Sequence, residues 1–174
     1  DEETKLYVKS DEAYVYFRID ARNYDFDKDT LLLPIDSIEG QGSDRFSAYG
    51  ISFGRQADFV LKIHGKNDSR LLVDPYYDNY LFRYAVQTSL IEDHPDASRK
   101  NSGLFNPIRL ALNKRVVIPP GNAVIPFTGY ETGQLTYGNA NPKSPDYYSL
   151  SDFYYSEGQL EIRIPWQLRS EERR

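Results

Sequence analysis

The strongest constraint on the fold is the alternation in Asp11–Asp20. After Asp11, Glu12 and Ala13, strand-forming residues run unbroken from Tyr14 to Asp20. Val15, Phe17 and Ile19 fall on one side of an extended chain; Tyr14, Tyr16, Arg18 and Asp20 fall on the other. A strand with one greasy face needs neighbouring strands and a second layer to cover it. Thr4–Lys9 alternates just upstream, so the two segments read as an antiparallel hairpin with Ser10, Asp11 and Glu12 as the turn.

The same signal recurs along the chain. Thr30–Asp36 reads as a buried strand, made irregular by Pro34. Ser37–Arg55, with Gly40, Gly42, Gly50 and Gly54, reads as a long loop. Ala57–His64 and Ser69–Asp74 pair across the turn Gly65–Asp68, and Pro75–Asn79 turns again. Further strands are expected at Tyr80–Val86 and at Phe105–Leu112, where Ile108, Leu110 and Leu112 share a face. Arg115–Ile118 stops at Pro119, Pro120 and Gly121 and is followed by Ala123–Phe127 and Gly133–Tyr137. A coil from Gly138 to Ser151 leads to Phe153–Tyr155 and the closing strand Gln159–Trp166. No amphipathic helix of ten or more residues is expected.

Roughly ten short strands with regular turns predict an all-β fold, a two-layer antiparallel β-sandwich of jelly-roll or immunoglobulin-like architecture. A closed barrel is the alternative. The expectation is one domain over residues 1–168, with 169–174 as a frayed boundary. A start at Asp1 and the lack of Met suggest a domain cut from a larger protein.

Several function classes are disfavoured. With no Cys there is no disulfide, thiolate metal site or thiol nucleophile. A net charge of -5 argues against a nucleic-acid footprint. No apolar run approaches the ~18 residues of a membrane span, so no transmembrane segment is expected. His64 and His94 make no zinc constellation. There is no phosphate-binding glycine loop before a helix. No carboxylate pair is singled out among the 26 acids, and the chain is read as non-enzymatic.

Tyrosine is what remains distinctive, with 15 Tyr against one Trp. A Tyr ring offers a flat apolar face to a sugar and a hydroxyl to hydrogen-bond it. Tyr76, Tyr77, Tyr80 and Tyr84 cluster beside Asp78, Asn79 and Arg83; Tyr147, Tyr148, Tyr154 and Tyr155 cluster near Asn139, Asn141 and Asp146. The candidate carbohydrate-binding residues are Tyr76, Tyr77, Asp78, Arg83, Tyr147, Tyr148 and Tyr155; ordinary packing on sheets is the competing reading. Asp25, Asp27 and Asp29 alternate like the start of an EF-hand loop, without its glycine and closing glutamate. They are candidate ligands for a structural calcium ion, against the plainer reading of a solvated acidic turn.

Three stretches carry a resemblance: Ser10–Ile19, Asp29–Asp36 and Leu160–Trp166. Their order, an acidic turn before a Tyr-Val-Tyr strand, a strand ending Ile-Asp, and a closing Glu-Ile-x-Ile-Pro-Trp, resembles the carbohydrate-binding module family 9-like (DOMON-like) β-sandwich. The resemblance runs sparsely from Lys5 to Trp166. It implies a non-catalytic accessory module, often with a glycan ligand and in some members a structural calcium ion. It also implies an extracellular or cell-surface setting in a bacterium. The partners would be a polysaccharide or cell-surface glycan and neighbouring domains of the same chain. Sugar-binding members clamp their ligand with exposed tryptophans, whereas Trp166 lies in the closing motif, a structural position. Tyr14 and Tyr16 belong to the family signature and are the tyrosines least expected to bind. The alternative is a structural or protein-interaction sandwich with no sugar ligand.

Overall fold

A computed structural model describes residues 4–77, 79–89 and 99–166. The expected all-β, sandwich-like class holds: the described chain is dominated by antiparallel sheets, with one helix of more than three residues. Contacts gather in two compact units, each assembled from separated segments. The first comprises residues 1–32, 62–70 and 134–174; the second comprises 33–61 and 71–133. The expected frayed boundary at 169–174 lies outside the described residues.

The first unit is built on the sheet that the opening alternation predicts. Lys5–Ser10 (β1) pairs antiparallel with Tyr14–Asp20 (β2). The turn between them is set by Asp11, whose Oδ1 accepts the N–H groups of Ala13 and Tyr14 at 2.8 and 2.7 Å. The last two strands of the chain, β13 and β14 (Phe153–Ser156 and Gln159–Pro165), complete the order β1-β2-β14-β13. The register places Phe17 opposite Ile162 and Ile19 opposite Leu160. Val15, Phe17, Ile19, Phe153, Leu160, Ile162 and Ile164 are all buried, so this one apolar face is the unit's core. The other face keeps Tyr16, Arg18, Glu161 and Arg163. Trp166 closes the unit as a brace: its N–H bonds to the Ala13 carbonyl, and its Nε1 donates to the Asp11 carbonyl at 2.8 Å.

A second four-stranded sheet has the order β3-β6-β7-β8, and most of its residues fall in the second unit. Its strands are Leu31–Ile35 (β3), Phe59–Ile63 (β6), Arg70–Val73 (β7) and Asn106–Pro107 (β8). Phe59, Val60, Leu61, Leu71 and Val73 are almost fully excluded from solvent. Such continuous burial is what a strand covered on both faces shows, and it explains why the runs lack alternation.

Several expectations in the second unit are corrected. Residues 80–86 are not a strand: Asn79–Gln87 is a helix (α1), in which Ala85 is buried and Arg83 exposed. Tyr, Phe and Val favour strands only weakly, and tertiary context overrides that preference. The stretch read as a long loop contains the hairpin Ser43–Phe46 (β4) and Ile51–Ala57 (β5), joined by a 3-10 turn at Ser47–Tyr49. The expected continuous strand from Ala57 is broken at Asp58, between β5 and β6.

The expected strand at 105–112 is split into β8 and Arg109–Asn113 (β9). Ile108 is 4% exposed, but Leu110 and Leu112 are 43% and 61% exposed, so the three do not share a buried face. Val116–Ile118 (β10) and Ala123–Ile125 (β11) form a two-stranded hairpin, and Thr128–Glu131 (β12) pairs with β9. In the first unit, 133–137 is likewise not a regular strand: Gln134 and Tyr137 make isolated bridges to Arg70 and Phe153. Among the described residues no helix is long and apolar enough to cross a membrane.

Candidate ligand-binding face

The solvent-facing side of the β1-β2-β14-β13 sheet forms the floor of a pocket of about 490 Å³, within the first unit. Antiparallel register makes this inevitable. Tyr7 stands opposite Arg18, Arg18 opposite Glu161, Tyr16 opposite Arg163, and Glu161 opposite Tyr154. Cross-strand partners share a face, so these side chains form one aromatic and charged surface. The coil from Gly138 to Ser151 supplies the wall through Asn139 and Asn141.

Arg18, Tyr16 and Arg163 on the floor are each held by hydrogen bonds. The Arg18 guanidinium donates to both oxygens of Asp20 at 2.9 and 3.2 Å and lies 5.6 Å from the Tyr7 ring centre. The Tyr16 hydroxyl donates to Asp11 Oδ2 at 2.8 Å, and that bond, ahead of desolvation, pushes its pKa above the ordinary tyrosine value. Arg163 ties the wall to the floor, donating through Nε to the Ser151 carbonyl at 2.7 Å and through Nη2 to the Ser149 carbonyl at 2.6 Å. Asp152 receives the Thr136 N–H at 2.8 Å; burial nevertheless pushes its carboxyl above the usual range. In the wall, Asn139 Oδ1 accepts the Asn141 N–H and Asn141 Oδ1 accepts the Lys143 N–H. The side-chain NH2 groups of the two asparagines supply donors.

The residues expected to bind sugar are spread differently. Tyr147 and Tyr148 are exposed, on the wall coil, but neither lines the pocket. Tyr155 does not join them. It is half-buried, its ring stacks on Phe26 at 4.9 Å and 9°, and its hydroxyl donates to the Tyr24 carbonyl. The reason is alternation: Tyr155 lies on the same side of β13 as the buried Phe153, while Tyr154 faces the pocket. Tyr76 and Tyr77 lie in the second unit, in the turn ahead of α1. Tyr77 packs edge-on against Phe59 at 5.2 Å, and the Tyr76 ring faces Lys100 at 5.7 Å. Arg83 is exposed on α1, and Asp78 lies outside the described residues. Tyr84, expected on a strand, lies on α1. The Tyr84 hydroxyl instead accepts the Arg115 N–H at 2.7 Å.

Asp25, Asp27 and Asp29, the expected calcium ligands, share one turn. Asp25 takes the Lys28 ammonium at 2.7 Å and the Asp27 N–H, while Asp29 Oδ2 accepts the Asp25 N–H at 2.9 Å. The Asp25 and Asp29 carboxylates thus stitch their own turn. Among the described residues no three His, Asp or Glu side chains gather to hold a metal. His64 Nδ1 lies 3.1 Å from the Asp29 carbonyl and 3.3 Å from Thr30 Oγ1, a packing role; His94 is outside the described residues.

Sequence reasoning does not single out Tyr7, Arg18 or Glu161, and it counts Tyr16 among the tyrosines least expected to bind. The signal was present in the polar half of the alternation, which had been assigned to structure alone. Comparison with protein-family models, with curated proteins and with solved structures returned no match.

Proposed function

We propose that the chain is a non-catalytic, carbohydrate-binding-like accessory module whose ligand lies on the open face of the β1-β2-β14-β13 sheet. One observation carries this reading: the pocket of about 490 Å³ combines Tyr7, Tyr16 and Tyr154 with Asn139, Asn141, Arg18 and Glu161 on one face. Pyranose C–H patches stack on tyrosine rings, and fixed amide and charged groups hydrogen-bond the hydroxyls around them. Tyr16, Arg18 and Asn139 are held before any ligand arrives, which lowers the entropic cost of binding. The resemblance to the family 9-like module points the same way, with a polysaccharide or cell-surface glycan as partner and an exported or surface-associated bacterial protein as setting. A structural or protein-interaction module without a sugar is the second reading, favoured by the inward packing of Tyr77 and Tyr155.

A glycan array followed by titration calorimetry tests the proposal. Tyr154→Ala and Tyr16→Ala should each weaken binding at least about tenfold, the loss expected when an aromatic contact worth ~1.5 kcal/mol goes. Tyr76→Ala and Tyr148→Ala should bind like the parent. No binding to any glycan, or equal losses in all four variants, would leave the interaction reading in its place.

A further inference from the structure

The apolar surface that the core does not use is concentrated in the second unit. Val116, Val117, Ile118, Val124 and Ile125 are each between 44% and 47% exposed. They make up most of the β10–β11 hairpin, paired Val116↔Ile125, Val117↔Val124 and Ile118↔Ala123. Val116, Ile118 and Ile125 share one face of the ribbon, and Val117 and Val124 share the other. Both faces are therefore apolar and open. A strand ribbon laid on a protein surface commonly keeps its other face polar for water. A ribbon greasy on both sides is matched by a medium that surrounds it.

Charge and backbone chemistry point to the same medium. From Arg109 to Tyr130 there is no Asp or Glu, in a chain whose net charge is -5. Lys114 and Arg115 stand immediately before β10, at the open end of the hairpin. The turn at its tip contains Pro119 and Pro120, which have no N–H to desolvate. We propose that this hairpin dips into the interfacial region of an anionic lipid bilayer, with its apolar residues among the upper acyl segments and its base cations at the headgroups. Three residue pairs span ~10 Å, which suits the ~5–10 Å depth of interfacial anchors. It is far short of the ~30 Å hydrocarbon core. Unpaired N–H and C=O groups on the outer edges of the ribbon oppose deeper entry, so the hairpin rests at the interface and does not cross.

The test is co-sedimentation of the protein with phosphatidylcholine vesicles, with and without phosphatidylglycerol. Two paired variants accompany it: Val117→Asp with Val124→Asp, and Lys114→Gln with Arg115→Gln. The aspartates fall at exposed positions, and circular dichroism confirms the fold of each variant. The expected result is binding to the anionic vesicles that weakens with salt and falls more than about tenfold in the aspartate variant. The glutamine variant should lose the preference for anionic lipid. Failure to sediment with either vesicle overturns the proposal, as does binding that the aspartate variant leaves unchanged. A dimer seen in sedimentation velocity, dissolved by the aspartate variant and without vesicle binding, would also overturn it in favour of a second copy.

Discussion

Buried carboxylates set the stability of the second unit residue by residue. Asp58 is fully buried, and its Oδ2 accepts the Ser37 N–H, the Ser37 hydroxyl and the Ile38 N–H, all at 2.8 Å. Asp74, equally buried, receives the Ser43 hydroxyl at 2.7 Å and the Tyr76 N–H at 2.8 Å. Ser43 in turn accepts the Gly103 N–H at 3.0 Å, so one hydroxyl serves two buried partners. Ser43→Ala would strand both and should destabilise the protein by ~1–3 kcal/mol, read as a lower denaturant midpoint. An unchanged midpoint would remove the hydroxyl from the account. Burial already holds the Asp74 carboxyl above its ordinary value, against the pull of Ser43, so the loss should be larger at neutral than at acid pH. Asp11 behaves oppositely. The Tyr14 N–H, then the Tyr16 hydroxyl and the Ala13 N–H, hold its carboxyl below the ordinary 3.8. The unfolded chain then takes up the proton more readily than the folded one. The turn's contribution is complete above 3.8 and fades as pH falls through the lowered folded value. An NMR titration of Asp11 should give a midpoint below 3.8, and one at or above it would contradict the turn geometry.

At the scale of elements, legibility follows how many constraints a segment obeys by itself. β2 and β14 were readable because each has one buried and one wet face, which writes a period of two into the chain; β1 alternates in sequence although all its residues are exposed. The wet half of that pattern also encoded the pocket floor, although nothing in a single strand says which neighbours will line up beside it. α1 was not readable. Its Tyr, Phe and Val look strand-like, and what decides its helicity is packing contributed by other parts of the chain. The β4–β5 hairpin hid behind its glycines, and a glycine count cannot separate a loop from a tight approach. Gly42 is such an approach: it has φ +80°, and a Cβ there would stand 2.0 Å from the Ala57 carbonyl oxygen. Gly40 has φ +76° with nothing within 4 Å. Gly40→Ala should therefore cost only the ~1 kcal/mol of left-handed strain. Gly42→Ala adds a backbone clash and should cost several times as much, or prevent folding. Thermal melts of the two variants decide this, and equal shifts would mean that Gly42 does not pack against the backbone of Ala57 and Asp58.

At the scale of the whole molecule, the two proposed surfaces share no residue and belong to different units. The sugar face is made from β1, β2, β13, β14 and the 138–152 coil; the lipid-facing hairpin is made from β10 and β11. Substitutions at sites with no shared partners combine additively to within ~0.5 kcal/mol. Tyr154→Ala should consequently leave vesicle binding within about twofold of the parent, and Val117→Asp with Val124→Asp should do the same for glycan binding. A double cycle, with glycan titration in the presence and absence of anionic vesicles, measures the coupling directly. Ligands that do not sense one another give a coupling factor near one. A factor beyond about fivefold would show that the units exchange free energy, and it would have to act equally on both ligands, because linkage is reciprocal. A factor near one would mean that the two proposed ligands bind independently, each to its own unit.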